Sequence, residues 1–347
     1  MPSKNIKQKN RIIFFDVLRI IAIFAVIWLH VSAEVWWEYA PTTKWCQTTV
    51  LLSLVRWSVP IFVMISGALF LDSNKIISIK RLYKKNILRI VIAYLFWSCA
   101  YAIRPNFTIN QFIGLVIQGP FHFWFLKMLV GLYILIPIIR KITSERKTEE
   151  YFLILAFFTS FLFPWNYILD KIDNESISII KNFINTVNLK MTVGYTSYFV
   201  LGHYLYTYQL KKKTKISIYI LATISFVCAA IGTILICRHF NRSDEVLFSN
   251  SIIFTLLESM AVFIYAKSNI NHVSAKFQKN IVDLSKMSFG IYLVHVFILK
   301  AAESYGINVC VFSPLLSIPI ISILVFFISY LITKLINKIP YINRYII

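Results

Sequence analysis

The sequence predicts an all-α, polytopic membrane protein with about ten transmembrane helices and both termini in the cytoplasm. Three observations support this prediction. Hydrophobic residues make up 58% of the 347 residues, the mean hydropathy is +0.69 and only nine residues are glycine, values unlike those of soluble domains. The apolar residues are gathered in long segments. The basic residues lie mostly between these segments, at alternate connections.

Most of the apolar segments approach the length of about 17–25 residues that a helix needs to cross a bilayer. A single domain covering residues 1–347 is predicted, because the longest hydrophilic stretch, 169–193, is expected to be an external loop. The spans are predicted at 14–33, 47–70, 87–103, 121–139, 150–168, 194–209, 216–236, 247–267, 287–302 and 311–333.

The first span has the basic flank and the small residues of a signal peptide, but it contains an arginine, so it is expected to remain as a signal anchor. The connection between the second and third spans is the most basic of all. It runs directly into the third span, which is typical of an interfacial amphipathic helix.

The distribution of the 36 Lys and Arg residues predicts the orientation. When Arg89 and Lys267, at the ends of their spans, are counted with the adjoining connections, 25 lie at the termini or in the connections after even-numbered spans. Seven lie in the opposite connections and four lie deeper inside spans. By the positive-inside rule, both termini are cytoplasmic. Topology and contact with membrane lipids therefore explain the net charge of +21, and no nucleic-acid partner is expected.

Two ionisable residues in the first span, Arg19 and His30, predict a functional site. They are eleven residues apart, so on an α-helix they share one face at a separation of about 16 Å. Asp16 precedes Arg19, and Glu34 follows His30 by one turn. Snorkelling of Arg19 and an interfacial position for His30 are the structural alternatives. The shared face favours function, with His30 as a general base oriented by Glu34.

A second group of candidates belongs to the second and fourth spans. Arg56 lies far from the cytoplasmic face and needs a partner or a wet cavity, and Ser58 and Pro60 follow it. Pro60 frees a backbone carbonyl, which often marks a kink beside a cavity, although helix packing explains the neighbouring small residues equally well. His122 and Trp124 lie at the outer entrance of the fourth span, where an aromatic belt is the alternative.

Two further ionisable residues, Glu258 in the eighth span and His295 in the ninth, lie near mid-membrane by residue count. A functional site and a structural hydrogen bond between helices are equally good interpretations of each. No metal site, Walker loop or GxGxxG motif is predicted. One disulfide is allowed but not assignable among the five cysteines, which are Cys46, Cys99, Cys228, Cys237 and Cys310.

Taken together, four stretches resemble the acyltransferase 3 family of ten-helix membrane acyltransferases, over nearly the whole chain. The family hallmark is a basic residue, ten residues and then a histidine, preceded by an Asp-x-Leu-Arg-like sequence, and Asp16, Arg19 and His30 fit this spacing. Members of this family decorate surface polysaccharides such as O-antigen, and within the family the chain looks most like the enterobacterial common antigen O-acetyltransferase subgroup. The supporting stretches are SVPIFVMISGALF, FHFWFLKMLVGLYILIP, YFVLGHYL and MSFGIYLVHVFIL.

The resemblance implies an enzyme of the bacterial inner membrane that binds no cofactor and uses a cytoplasmic acyl-CoA, with acetyl-CoA the expected donor. Its acceptor would be a hydroxyl of a surface or lipid-linked polysaccharide. Arg19 and Arg89 would bind the donor phosphates. The family usually has an arginine where this chain has Asn86, so a neighbouring lysine is expected to supply that charge. The two candidates are Lys84 and Lys85.

The implied mechanism has His30 deprotonate the hydroxyl or briefly carry the acyl group. Glu34 would orient His30, and Arg56 or His122 would stabilise the oxyanion. A transporter or flippase for a sugar lipid, with Arg19, Arg56 and Glu258 along its path, is the alternative from another class. A non-catalytic assembly protein is a third possibility, but it gives no reason for a shared Arg19 and His30 face.

Overall fold

A computed structural model describes residues 11–72, 75, 77–103, 108–161, 176, 178–179, 186, 192, 194–270, 273–340 and 346–347. Within these residues the secondary structure is helical and no strand occurs. The α-helices are α1 (Ile13–Trp36), α2 (Thr43–Ser53), α3 (Ser58–Phe70), α4 (Ile79–Arg81), α5 (Leu88–Ala102), α6 (Ile109–Gln118), α7 (Trp124–Ile142), α8 (Arg146–Ala156), α9 (Tyr195–Thr207), α10 (Lys212–Phe240), α11 (Ile253–Asn269), α12 (Ala275–Ser304) and α13 (Pro314–Ile336).

Seven helical segments of the described chain are long and apolar enough to cross a membrane, which identifies a multi-pass membrane protein. They are Ile13–Trp36, Thr43–Phe70, Phe121–Ile142, Lys212–Phe240, Val246–Asn269, Lys276–Ser304 and Pro314–Ile336. The other three predicted spans coincide with shorter helices. α5 and α9 have 15 and 13 residues, and α8 continues as a π-helix over Phe157–Phe161. Residues 162–168 of the fifth predicted span lie outside the described residues.

The second predicted span is interrupted by a turn between α2 and α3. Pro60 has no backbone N–H, and it occupies the first turn of α3, where that hydrogen would have no helical partner in any case. The interruption therefore costs little and places Arg56 in the turn rather than inside a straight helix. The sequence associated Pro60 with a kink, and this turn lies directly before the helix that contains Pro60.

The part of the basic connection that adjoins the third span is helical from Ile79 onward. α4, a π-helix over Leu82–Ile87 and α5 follow one another without a gap, with Leu82 and Ile87 buried and Lys84 and Lys85 exposed. One helix was not predicted: α6 lies in the connection expected after the third span, begins with a Thr108 capping box and presents an exposed apolar stripe. The stripe consists of Ile109, Ile113 and Ile117.

The closest helix crossing is between α3 and α9. A Cβ atom on Gly67 would overlap the Phe199 carbonyl, and one on Gly202 would overlap the backbone of Met64. Glycine is required at both positions because the two backbones are in direct contact. α1 lies beside this pair and also packs against α2, α11, α12 and α13, so it is the central helix of the bundle.

The two ends of the bundle are distinguished by aromatic contacts. At the Phe14 end, Phe14 at the start of α1 meets Phe263 near the end of α11, with ring centroids 6.0 Å apart. At the Trp36 end, Trp36 at the end of α1 meets Phe248, which precedes α11, at 5.6 Å. The helices α1 and α11 therefore run in opposite directions.

Candidate active site

Two polar links join α1 to α12, one toward each end of the bundle. Toward the Phe14 end, Ser285 Oγ donates a hydrogen bond to Asp16 Oδ1 at 2.7 Å. Toward the Trp36 end, His30 Nδ1 lies 2.8 Å from His295 Nε2. Because residue numbers increase in the same direction between the two links on both helices, α1 and α12 run parallel.

Asp16 holds the arginine cluster at the Phe14 end. It is only 1% exposed, accepts from Arg11 at 2.7 and 2.8 Å and accepts from Arg19 Nη1 at 3.1 Å. A buried carboxylate that receives charged donors and a hydroxyl is well satisfied. Arg19 is thus held in place by a neighbour one turn away, and free snorkelling does not describe it.

The protonation pattern of the two histidines follows from a single backbone contact. His295 Nδ1 lies 2.6 Å from the Tyr292 carbonyl oxygen, which can only accept, so this nitrogen carries the hydrogen. In neutral His295, Nε2 is then an acceptor, and His30 Nδ1 must donate to it. His30 Nε2 is left with its lone pair and has no partner among the described residues.

A third histidine, His122, lies beside this pair. Its ring centroid is 5.2 Å from that of His295 and 6.2 Å from that of His30. It is 1% exposed, and neither ring nitrogen has a hydrogen-bond partner in the described part of the chain. Tyr292 Oη donates to the His122 carbonyl at 2.6 Å and fixes the backbone. A buried ring N–H without a partner is costly, so this position is suited to a polar ligand atom.

One cavity of about 690 Å³ connects these groups. Arg19 and Arg89 line it toward the Phe14 end, and His30, His122 and Arg56 line it toward the Trp36 end. On the α1 face between Arg19 and His30, Val26 contributes to the wall, whereas Ile23 is completely buried. The face that the sequence predicted as shared is therefore a cavity wall.

Arg89, at the start of α5, is held at this cavity by two contacts. Its Nη2 donates to the carbonyl of Ile347, and its guanidinium lies 5.7 Å from the centroid of the Phe289 ring. The neighbouring lysines, Lys84 and Lys85, are exposed and do not line the cavity.

The remaining candidates occupy different surroundings. Trp124 lines the cavity, with its ring 5.4 Å from that of Tyr195. Ser58 is fully buried, and its hydroxyl has no hydrogen-bond partner among the described residues. Glu258 lines a separate apolar groove of about 520 Å³ between α1, α10 and α11, together with Trp57. Glu258 is therefore outside the cavity that contains His30.

Glu34 does not orient His30 in this structure. His30 Nδ1 contacts His295 Nε2, and Glu34 makes no hydrogen bond to His30 in the described residues. Its electrostatic neighbour is Glu303, near the end of α12. The physical reason is that a ring nitrogen forms one in-plane hydrogen bond. His295 on α12 supplies the acceptor for His30 Nδ1, so this nitrogen is not available to Glu34.

Sequence reasoning named His295 as a candidate but did not predict its contact with His30 or the contributions of Ser285 and Tyr292 on the same helix. Ser285, Ser288, Tyr292 and His295 recur at spacings of three and four residues, which puts them on one helix face. This polar stripe was the available signal for a functional helix. For metal ions, the described residues contain no group of three or more His, Cys, Asp or Glu side chains that could hold one.

Comparison with known proteins gives one match. A family model described as an acyltransferase domain, acyltransferase 3, matches residues 12–334, which is nearly the whole chain. No curated protein and no solved structure matches the chain.

Proposed function

The chain belongs to the acyltransferase 3 family, and from this membership we propose that it transfers an acetyl group from acetyl-CoA to a hydroxyl of a surface or lipid-linked polysaccharide. The enterobacterial common antigen O-acetyltransferases are the proposed subgroup. The observation that carries the proposal is the single cavity shared by Arg19, Arg89 and His30. It offers cations for the donor and a base for the acceptor in one connected space.

We propose ten membrane crossings in the bacterial inner membrane, with both termini and the Phe14 end in the cytoplasm. The three short helices α5, α8 and α9 would complete the count. Lys215 at the start of α10 contacts Ser268 at the end of α11 at 2.9 Å, and Arg238 at the other end of α10 contacts Cys46 in α2 at 3.6 Å. These contacts support the alternation of helix directions that ten crossings require.

The donor would enter from the Phe14 end. Arg19 and Arg89 present guanidinium groups to the cavity there, and arginine suits phosphate oxygens because its donors form a planar fork. Lys84 and Lys85, exposed before α5, would add positive charge at the entrance. The thioester arm would then extend along the α1 face toward His30.

The chemistry follows from the histidine pair. His30 Nε2 accepts the proton of the acceptor hydroxyl while the hydroxyl oxygen attacks the thioester carbonyl carbon. The tetrahedral intermediate collapses, the C–S bond breaks and the departing sulfur takes the proton from His30. The products are a glycan ester and free CoA, so protons balance within the site.

His122 is the proposed oxyanion donor. Its unpartnered ring nitrogens lie next to His30, where negative charge would develop on the carbonyl oxygen. A donor that is already fixed and desolvated stabilises such charge without reorganising, and loss of one oxyanion donor typically lowers kcat about 10²–10³-fold.

A vesicle assay separates this function from transport of a sugar lipid. Radiolabelled acetyl-CoA is supplied on the cytoplasmic side of vesicles that contain the protein and the host glycan. Label in the glycan is expected for the wild type and not for His30→Ala inserted at the same level. Glycan movement without label would contradict the proposal. Mass spectrometry of surface glycans with and without the gene then identifies the acyl group.

A further inference from the structure

Arg56 is a cation at the Trp36 end of the cavity whose surroundings differ from those of the arginines at the other end. Its Nε donates to the Phe248 carbonyl at 2.8 Å, Nη2 donates to the same oxygen, and the guanidinium lies 5.2 Å from the Phe248 ring centroid. Nη1 donates to no described acceptor. One side of the guanidinium is therefore anchored, and the other side is available to the cavity.

The charge of Arg56 is not neutralised by an ion pair with the described residues. Glu245 and Glu258 interact with it electrostatically, yet neither approaches within the 4.0 Å of a salt bridge. Glu245 is exposed at the cavity mouth, and Glu258 lies in the separate groove. An arginine within a membrane-spanning segment is costly without a partner, so an anion from outside the chain would be stabilised here.

This anion is distinct from the donor phosphates already considered. Arg19 lies eleven residues before His30 on α1, about 16 Å away along the axis, whereas Arg56 lines the cavity toward the Trp36 end, as His30 does, and is held by Phe248, whose ring packs on Trp36. Arg56 is thus on the acceptor side of the reacting centre.

Aromatic side chains line the opening of the cavity at the Trp36 end, which we call the aromatic mouth. Trp37, Phe121 and Trp124 line the cavity with 56%, 60% and 38% of their surface exposed. Exposed aromatic rings beside hydrogen-bonding groups provide apolar faces for sugar rings, and Asn250 adds a polar side chain. A ligand that suits both features has a sugar ring and a negative charge.

We propose that the acceptor is an anionic glycan, whose carboxylate or phosphate is bound by Arg56 while a neighbouring sugar ring packs on the aromatic mouth. This proposal rests on the proposed acyl transfer and names the acceptor class. The anion comes from an acidic sugar or from the phosphate that links a sugar to a lipid. Both offer the same oxygens to the guanidinium fork.

The test is a binding titration on the full chain in lipid nanodiscs, in which the change in tryptophan fluorescence measures binding. The probes are glucuronate, glucose 1-phosphate and methyl glucoside. We expect at least one anionic probe to bind about tenfold or more tightly than methyl glucoside, the factor that roughly 1.4 kcal/mol represents. Stronger binding of glucuronate identifies an acidic sugar, and stronger binding of glucose 1-phosphate identifies a phosphate linkage.

Three variants make the titration decisive. Arg56→Gln should abolish the preference for the anion, Arg56→Lys should retain part of it, and Arg242→Gln, which changes an exposed arginine outside the cavity, should leave it intact. Equal binding of the three probes, absence of binding, or a preference that survives Arg56→Gln would overturn the proposal. A purely structural role of Arg56 would not alter the selectivity between charged and neutral sugars.

Failure of this inference is distinguishable from failure of the proposed function. If wild-type protein labels host glycan from acetyl-CoA but shows no anion preference, the anionic acceptor is wrong and acyl transfer stands. If no label is transferred, the proposed function itself is wrong.

Discussion

At the scale of single residues, the account depends on a directional chain of hydrogen bonds. The Tyr292 carbonyl fixes the hydrogen on His295, His295 accepts from His30, and the free lone pair of His30 faces the cavity. An isolated neutral imidazole exchanges between two tautomers, only one of which has the lone pair on Nε2. His295 is therefore a positioning residue for the base, comparable to a carboxylate beside a catalytic histidine.

Substitution of His295 tests this role. His295→Leu removes the acceptor for His30 Nδ1–H, and we expect the initial rate of acyl transfer to fall by about 10²-fold or more, within the range of general-base contributions. His295→Gln provides a side-chain oxygen near the lost Nε2 and should recover part of the rate. The measurement is label incorporation by equal amounts of monodisperse protein. Equal rates for the leucine and glutamine variants would contradict a positioning role.

The sequence could name both His30 and His295 as candidates, but it could not predict that they contact each other. Arg19 and His30 share a helix face, so local spacing alone places them on one wall. His30 and His295 are 265 residues apart, and no local spacing rule relates them. Glu34 was favoured because it lies one turn away, but the packing of α12 against α1 decides which group reaches the ring.

At the scale of secondary-structure elements, glycines set how closely the helices approach. α3 and α9 touch through the backbones around Gly67 and Gly202, and α3 in turn carries the break that positions Arg56. A side chain at either glycine would separate the two helices. The two glycines do not line the cavity themselves, although α3 contributes Val59, Phe62 and Ser66 to its wall.

Alanine substitutions provide a matched comparison. Gly202→Ala places a methyl group against the Met64 backbone, and we expect a lower thermal midpoint because overpacking costs about 1–3 kcal/mol. Gly131→Ala on α7 meets nothing within 4 Å and should keep or slightly raise the midpoint, since alanine favours helix over glycine by up to about 1 kcal/mol. Thermal unfolding in detergent, monitored by size-exclusion fluorescence, measures both. Equal midpoints would show that the crossing tolerates a side chain.

The apolar segments predicted the long helices well, because the thickness of the bilayer and the hydropathy of the local sequence set the length and position of each helix. The break at residues 54–57 escaped prediction because hydropathy is continuous across it, although Pro60 gave a partial signal. Helix α6 was missed because its apolar residues, Ile109, Ile113 and Ile117, cover only one face of a short segment.

At the scale of the whole molecule, the cavity joins two ends that we propose to lie on opposite sides of the membrane. Arg19 and Arg89 line the cavity toward the Phe14 end, and the aromatic mouth lies at the Trp36 end. This polarity suits a donor made in the cytoplasm and an acceptor outside. The positive-inside rule, which sums many local charges along the sequence, predicts the same orientation.

Cysteine labelling in intact cells tests the orientation. Cys310 is exposed between α12 and α13 and is predicted to lie outside, so a membrane-impermeant maleimide should label it in a variant whose other four cysteines are serine. Ser144→Cys between α7 and α8, in a background with all five native cysteines replaced, should react only after permeabilisation. Labelling of Ser144→Cys in intact cells would contradict a cytoplasmic position for this loop.

The central claim is that His30 Nε2 accepts the proton of an acceptor hydroxyl during acyl transfer. Its most direct test is the rate of label transfer from acetyl-CoA to glycan by reconstituted His30→Ala, compared with wild type at equal insertion and equal thermal stability. The account predicts a loss of about 10²–10⁴-fold, the usual contribution of a positioned base. An unchanged rate in His30→Ala would contradict it.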